Sequence, residues 1–85
     1  MLLDERVLRL IALGASICAN CQPCLQTNLI KALESGASEM EIAEAIWVGR
    51  QVRHGAATGM DQFAASTNQA IGLFDSLPDG GCSCS

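Results

Sequence analysis

Val7, Leu8, Leu10, Ile11 and Ala15 form an apolar stripe that leaves Arg6 and Arg9 outside it. That spacing predicts a helix burying one face. Asp4 and Glu5 precede the stripe and favour a helix start, because carboxylates are attracted to the free N–H groups there. Gly14 weakens the pattern near its end, and residues 16–22 read as a connection or a distorted turn. Pro23 suits the first turn of a second helix, where its missing N–H costs nothing. Leu25, Leu29, Ala32 and Leu33 then fall on one face, and Gly36 suits a left-handed residue that ends the helix.

The third start is the clearest. Ser38-Glu39-Met40-Glu41 has the form of a capping box, in which the Ser38 hydroxyl accepts from the N–H of Glu41 while the Glu41 carboxylate reaches back. Ile42, Ala45, Ile46, Gly49 and Val52 continue the apolar face. Glu39, Glu41 and Glu44 lie at its beginning and read as a solvated first turn. Arg50, Arg53 and His54 lie towards its end, the charge order a helix dipole favours. Gly55 is expected to break or bend this helix, and residues 56–65 resume the pattern with Met60, Phe63 and Ala64. Residues 70–77 make a shorter amphipathic piece, with Ile71, Phe74 and Leu77 on one side. No alternating run of β-branched and aromatic residues is present, nor a hairpin turn between such runs. The expectation is an all-α fold: one helical domain over residues 1–77, followed by a flexible tail over residues 78–85 that carries Cys82 and Cys84.

Composition sharpens this. Eighty-five residues hold one small domain, and a hydrophobic content of 49% is too high for a disordered chain. The apolar stretch Leu10–Ala19 is too short to span a bilayer. A net charge of −4 with five Lys+Arg offers no basic face for nucleic acid. Arg6 and Arg9 ahead of that stretch resemble a secretory leader, but Asp4 and Glu5 oppose it, so a cytoplasmic location without membrane attachment is expected. The large anchors are few: Trp47, Phe63 and Phe74, with no Tyr. A chain this short buries only about 60% of its unfolded surface alone. Self-association is therefore expected, with Trp47 as a core or subunit-interface anchor.

The five cysteines, about three times typical usage, are bunched. Three fall in Cys18-Ala-Asn-Cys21-Gln-Pro-Cys24 and two close the chain. An odd number cannot all pair within one chain, and a disulfide scaffold would spread them to staple distant loops. Cys21-Gln-Pro-Cys24 lets two sulfurs meet in a small ring. At a helix start the free N–H groups favour the thiolate, the nucleophilic form. Zinc sites share this spacing, but four ligands would require the tail, since His54 is the only histidine. Cys18, Cys21 and Cys24 also match three ligands of a ferredoxin-type run, without its fourth. Cys18 is otherwise read as a small buried hydrophobe.

Laid out together, these residues resemble the carboxymuconolactone decarboxylase and alkylhydroperoxidase D-like family. The match runs from Ala12 through Cys21 and Cys24, then from Ala32 through Ser38 and Glu41 to Ala45, and on through Val52-Arg53-His54-Gly55 to Met60-Asp61. The resemblance implies an alkylhydroperoxidase D-like helical bundle assembled into trimers or hexamers. In the thiol-active branch, a Cys-x-x-Cys pair cycles between dithiol and disulfide, and reduces a hydroperoxide or exchanges with a partner protein's disulfide or dithiol. True lactone decarboxylases of the family generally lack the pair. By carry-over, Cys24 is the attacking thiol and Cys21 its disulfide partner. The family places a proton-relaying His four residues after the second cysteine, where this chain has Asn28, which does not titrate. It also uses a Glu on the preceding helix, for which Glu5 is the nearest candidate. His54 is either a replacement proton carrier or a solvent-facing cation near a helix end.

The expected function is thus a thiol–disulfide oxidoreductase or peroxide-reducing protein without a cofactor or bound metal. Two alternatives stand beside it. One is a module for soft metals or metalloids built from Cys18, Cys21, Cys24 and the tail. The other is a non-catalytic oligomeric scaffold with incidental thiols.

Overall fold

The computed structural model describes residues 2–71, which form three helices: α1 (Glu5–Cys18), α2 (Gln22–Glu34) and α3 (Glu39–Ile71). The all-α expectation holds. The far part of the amphipathic piece at residues 70–77, the tail, and with them Phe74, Cys82 and Cys84 lie outside the described residues.

Each helix begins where the local chemistry places it. Asp4 caps α1, its carboxylate accepting the N–H of Val7 at 2.9 Å. Ser38 and Glu41 form the reciprocal pair: Glu41 N–H to Ser38 Oγ at 3.1 Å, and Ser38 N–H to Glu41 Oε1 at 2.9 Å. Gly36 closes α2 at φ +90°, a conformation strained for any side chain with a Cβ. That turn lets Gly36 N–H bond Leu33 O at 3.1 Å and Ala37 N–H bond Ala32 O at 3.0 Å, which satisfies two carbonyls the helix leaves open.

α1 is the central element and packs against both α2 and α3. The core is small. Leu13 and Ala32 are fully buried, Ala37 and Ile42 nearly so, and Leu10, Leu25, Leu29, Ala45 and Ile46 pack half-buried around them. α1 and α3 touch backbone to backbone at Gly14 and Gly49. A Cβ added at Gly49 would lie 2.7 Å from Gly14 O, closer than side-chain carbons approach.

Several expectations change. Residues 16–18 are helical, not a turn: Ser16 Oγ bonds back to Ala12 O at 2.7 Å, and Ser16 and Ile17 are buried. The connection to α2 is only Ala19, Asn20 and Cys21. Gly14, which weakens the helical pattern in isolation, is where α3 comes closest. α3 runs unbroken through Gly55, because one exposed glycine costs a helix only about 1 kcal/mol. Leu33 and Val52 stay largely exposed despite their place on the apolar stripes. Trp47 is 60% exposed and is not part of the core among the described residues. Glu41 is more than a solvated first-turn acid, for it also forms an ion pair with Arg6 across α1 and α3. The Ser38 N–H, then the Arg6 guanidinium, hold the Glu41 carboxyl below its ordinary range.

Two outcomes follow for stability. Gly49→Ala should push α1 and α3 apart and lower unfolding stability by about 1–3 kcal/mol, whereas Gly55→Ala, with open space around its Cβ, should be neutral or stabilising by up to about 1 kcal/mol. Denaturant unfolding of the two variants separates these. Because the folded form depresses the Glu41 carboxyl, its contribution is present above the ordinary glutamate pKa and is lost as pH falls through the lower folded value. The gap in melting temperature between wild type and Glu41→Gln should therefore be open at pH 7 and close in strong acid.

Candidate functional site

The turn after α1 sets the site. Ala19 N–H bonds Ala15 O, Asn20 N–H bonds Ile17 O and Cys21 N–H bonds Ser16 O. These bonds reverse the chain within three residues. Asn20 stands at φ +54°, a left-handed conformation that asparagine tolerates better than most residues. Cys21 is thereby delivered as the cap of α2, in extended backbone, with Pro23 in the first turn. Cys21 and Cys24 form a disulfide with their Cα atoms 5.2 Å apart. The Cys24 N–H points at Cys21 Sγ, 3.3 Å away.

The two sulfur residues are not equivalent. Cys24 is exposed. Cys21 is half-buried and lines a cleft of about 400 Å³ together with Ser16, Asn20, Gln22, Leu25 and Arg53. Arg53 comes from α3, one turn beyond Gly49, and its guanidinium reaches Asn20 Oδ1 at 3.4 Å.

Asn28, one turn after Cys24, ties α2 to α1. Its amide donates to Cys24 O at 2.9 Å and to Ser16 Oγ at 3.3 Å. Its carbonyl oxygen accepts from the Arg9 guanidinium at 3.4 Å, and Arg9 in turn donates from Nε to Glu5 Oε1 at 2.7 Å. Glu5 therefore connects to the pair only through Arg9 and Asn28. Arg9, outside the apolar stripe, reaches Asn28 from α1 together with Ser16. Neither amide nor guanidinium exchanges a proton near neutral pH, so this chain of contacts orients groups without relaying protons.

The remaining candidates lie elsewhere. His54 is exposed on α3, and the cleft is lined by its neighbour Arg53 instead. Helical spacing explains the difference: Arg53, not His54, falls one turn from the Gly49 contact. Cys18 is exposed, not buried, and contacts Gly49 O at 3.5 Å. It borders a second, apolar groove of about 470 Å³ between α1 and α3, with Leu10, Gly14, Ala45, Val48 and Val52. Among the described residues, no three His, Cys, Asp or Glu side chains cluster as metal ligands, so the joint use of Cys18, Cys21 and Cys24 has no geometric support there.

Residues 2–67 match the model of the carboxymuconolactone decarboxylase family, and the chain belongs to that family. It is 33% identical over 75 residues to a protein of Paracoccus denitrificans described as "Uncharacterized protein 4 in cox locus". That alignment covers 88% of this chain and 62% of the relative, so the chain spans under two-thirds of the relative's length. No solved structure matches it.

Asn28→Ala removes the amide that joins Cys24, Ser16 and Arg9. It should cost about 1 kcal/mol of stability, the net worth of a typical hydrogen bond, and raise amide hydrogen exchange in the first turn of α2. Exchange measured across that turn in both proteins checks this.

Proposed function

We propose that this protein is a thiol–disulfide oxidoreductase of the alkylhydroperoxidase D-like branch of its family, acting through Cys21 and Cys24. The observation that carries the reading is the Cys21–Cys24 disulfide at the start of α2, with one sulfur residue exposed and the other beside an open cleft. Its setting in a carboxymuconolactone decarboxylase chain supports it.

The chemistry balances without a cofactor. In the reduced protein one thiolate attacks a substrate disulfide, forms a mixed disulfide and expels one thiolate, which takes a proton from water. The second protein thiolate then attacks the bonded protein sulfur, expels the other substrate thiolate and closes the Cys21–Cys24 bond. The protein loses two electrons and the substrate gains them. With a hydroperoxide, the attacking thiolate takes the terminal oxygen as a sulfenic acid and releases an alcohol, and the second thiol displaces water as the disulfide closes. A dithiol partner returns the pair to the reduced form by the reverse exchange. Exchange requires a thiolate and access, and at the start of α2 the Cys24 N–H is directed at Cys21 Sγ, a contact that favours a charged sulfur there. Asn28 supplies no proton, which favours disulfide exchange over rapid peroxide turnover.

The protein is read as a homo-oligomer, a trimer or hexamer by family. Support comes from the exposed Trp47, Val48, Val52, Met60 and Phe63 along α3, and from the apolar groove that Cys18 borders. Among the described residues, the one small core leaves this surface uncovered.

Stopped-flow mixing of reduced protein with a small disulfide and with an alkyl hydroperoxide tests the reading. Wild type should lose two thiols per chain as the Cys21–Cys24 bond forms, and Cys21→Ser and Cys24→Ser should each fail to form it. If neither oxidant consumes wild-type thiols, the oxidoreductase reading is wrong.

A further inference from the structure

The cleft beside Cys21 has features that exchange chemistry in general does not require. Its lining includes both Cys21 and the cationic Arg53. Arg53 reaches it from α3, and its hydrogen bond in the cleft is to the neutral Asn20 amide. Among the described residues the ion pairs are Arg6 with Glu41 and Arg9 with Glu5, and neither takes up Arg53. The positive charge at the cleft is thus not neutralised by a carboxylate of the described chain. A volume of about 400 Å³ lies at the small end of the range for small-molecule sites, too small for a folded partner. Its lining is mixed, with Leu25 and Ile17 supplying apolar wall and Ser16, Asn20 and Gln22 supplying hydrogen-bonding groups.

We propose that this cleft admits a small disulfide carrying a carboxylate a few bonds from its sulfurs, that Arg53 binds the carboxylate, and that Cys21 is the sulfur that meets the substrate. The inference rests on the oxidoreductase reading and deepens it. The family resemblance gives the attacking role to Cys24. The cleft opens on Cys21 instead, and displacement at sulfur requires the attacking, central and leaving sulfurs in line. Cys21 is among the residues that line the cleft and Cys24 is not, so a molecule held there meets Cys21. In the reduced protein the Cys21 thiolate attacks one sulfur of the bound disulfide, and a carboxylate-bearing thiolate leaves and is protonated by water. Cys24 thiolate then attacks Cys21 Sγ, the second substrate thiolate leaves, and the protein disulfide closes. The Cys24 N–H at Cys21 Sγ favours the charge on the sulfur that makes the first attack.

Three disulfides of matched length test this: 3,3′-dithiodipropionate with two carboxylates, bis(2-hydroxyethyl) disulfide with none, and cystamine with two ammonium groups. Each rate of protein oxidation is divided by the rate of the same disulfide with free dithiothreitol, which removes intrinsic reactivity. Wild type should favour the dicarboxylate over the neutral compound by roughly three- to five-fold, the size of one screened charge contact, with the order reversed for cystamine. The preference should shrink with added salt, vanish in Arg53→Gln and survive in part in Arg53→Lys. In parallel, Cys24→Ser should acquire the mercaptopropionate adduct on Cys21 faster than Cys21→Ser acquires it on Cys24, as read by peptide mass spectrometry. Equal normalised rates, a preference that persists in Arg53→Gln, or faster adduct formation on Cys24 would overturn the proposal while leaving the exchange reading intact. Loss of reaction with all three compounds would instead sink the exchange reading itself.

Discussion

The backbone contact between Gly14 and Gly49 governs the rest of the molecule. Two helices that meet without side chains between them have little freedom to slide, and the surrounding geometry follows. Cys18, one turn beyond Gly14, meets Gly49 O. Arg53, one turn beyond Gly49, meets Asn20 just past the end of α1. The cleft beside Cys21 is the space those two turns leave open. A wider crossing would keep all three helices but take Arg53 away from the cysteines.

The second determinant is the short connection from α1 to α2. Three residues leave the chain few ways to reverse, and the left-handed Asn20 makes the reversal here. Cys21 then has to serve as the helix cap. Asn28 fastens the next turn to Ser16 and Arg9, which keeps the Cys21–Cys24 loop from rotating away from α1. The pair thus sits on a fixed platform with its two faces differently exposed. α3 continues well past this platform, with Trp47, Val52, Met60 and Phe63 exposed among the described residues.

Local chemistry was legible in the sequence and contacts across helices were not. Asp4, Pro23, Gly36 and the Ser38–Glu41 pair act within one turn of their own positions, and the helix boundaries they predict are the observed ones. The paired cysteines were legible for the same reason. Gly14 and Gly49 carry no such mark. Gly14 reads as a weak point of a helix until Gly49 is opposite it, and for that reason the sequence pattern places a turn where α1 in fact continues to Cys18. Glu41 gains Arg6, and Asn28 gains Arg9, only when α1 lies beside α3 and α2. Arg53 and His54 are adjacent in sequence, and only the rotation of α3 about its axis decides which one reaches the cleft. Free cysteine is usually buried, which makes Cys18 a core residue by type; here the helix turns it to the apolar groove between α1 and α3.

The proposed function requires Cys21 and Cys24 to form a reversible two-electron couple with each other rather than with Cys18, Cys82 or Cys84. Equilibration of the whole protein across a series of dithiothreitol buffers, followed by thiol trapping and peptide mass spectrometry, tests it directly. The expected result is one two-electron transition, in which a Cys21–Cys24 link appears and disappears reversibly while Cys18, Cys82 and Cys84 remain outside that link. A pair that stays reduced across the series, or a link that joins Cys21 or Cys24 to Cys18 or to the C-terminal cysteines, would contradict it.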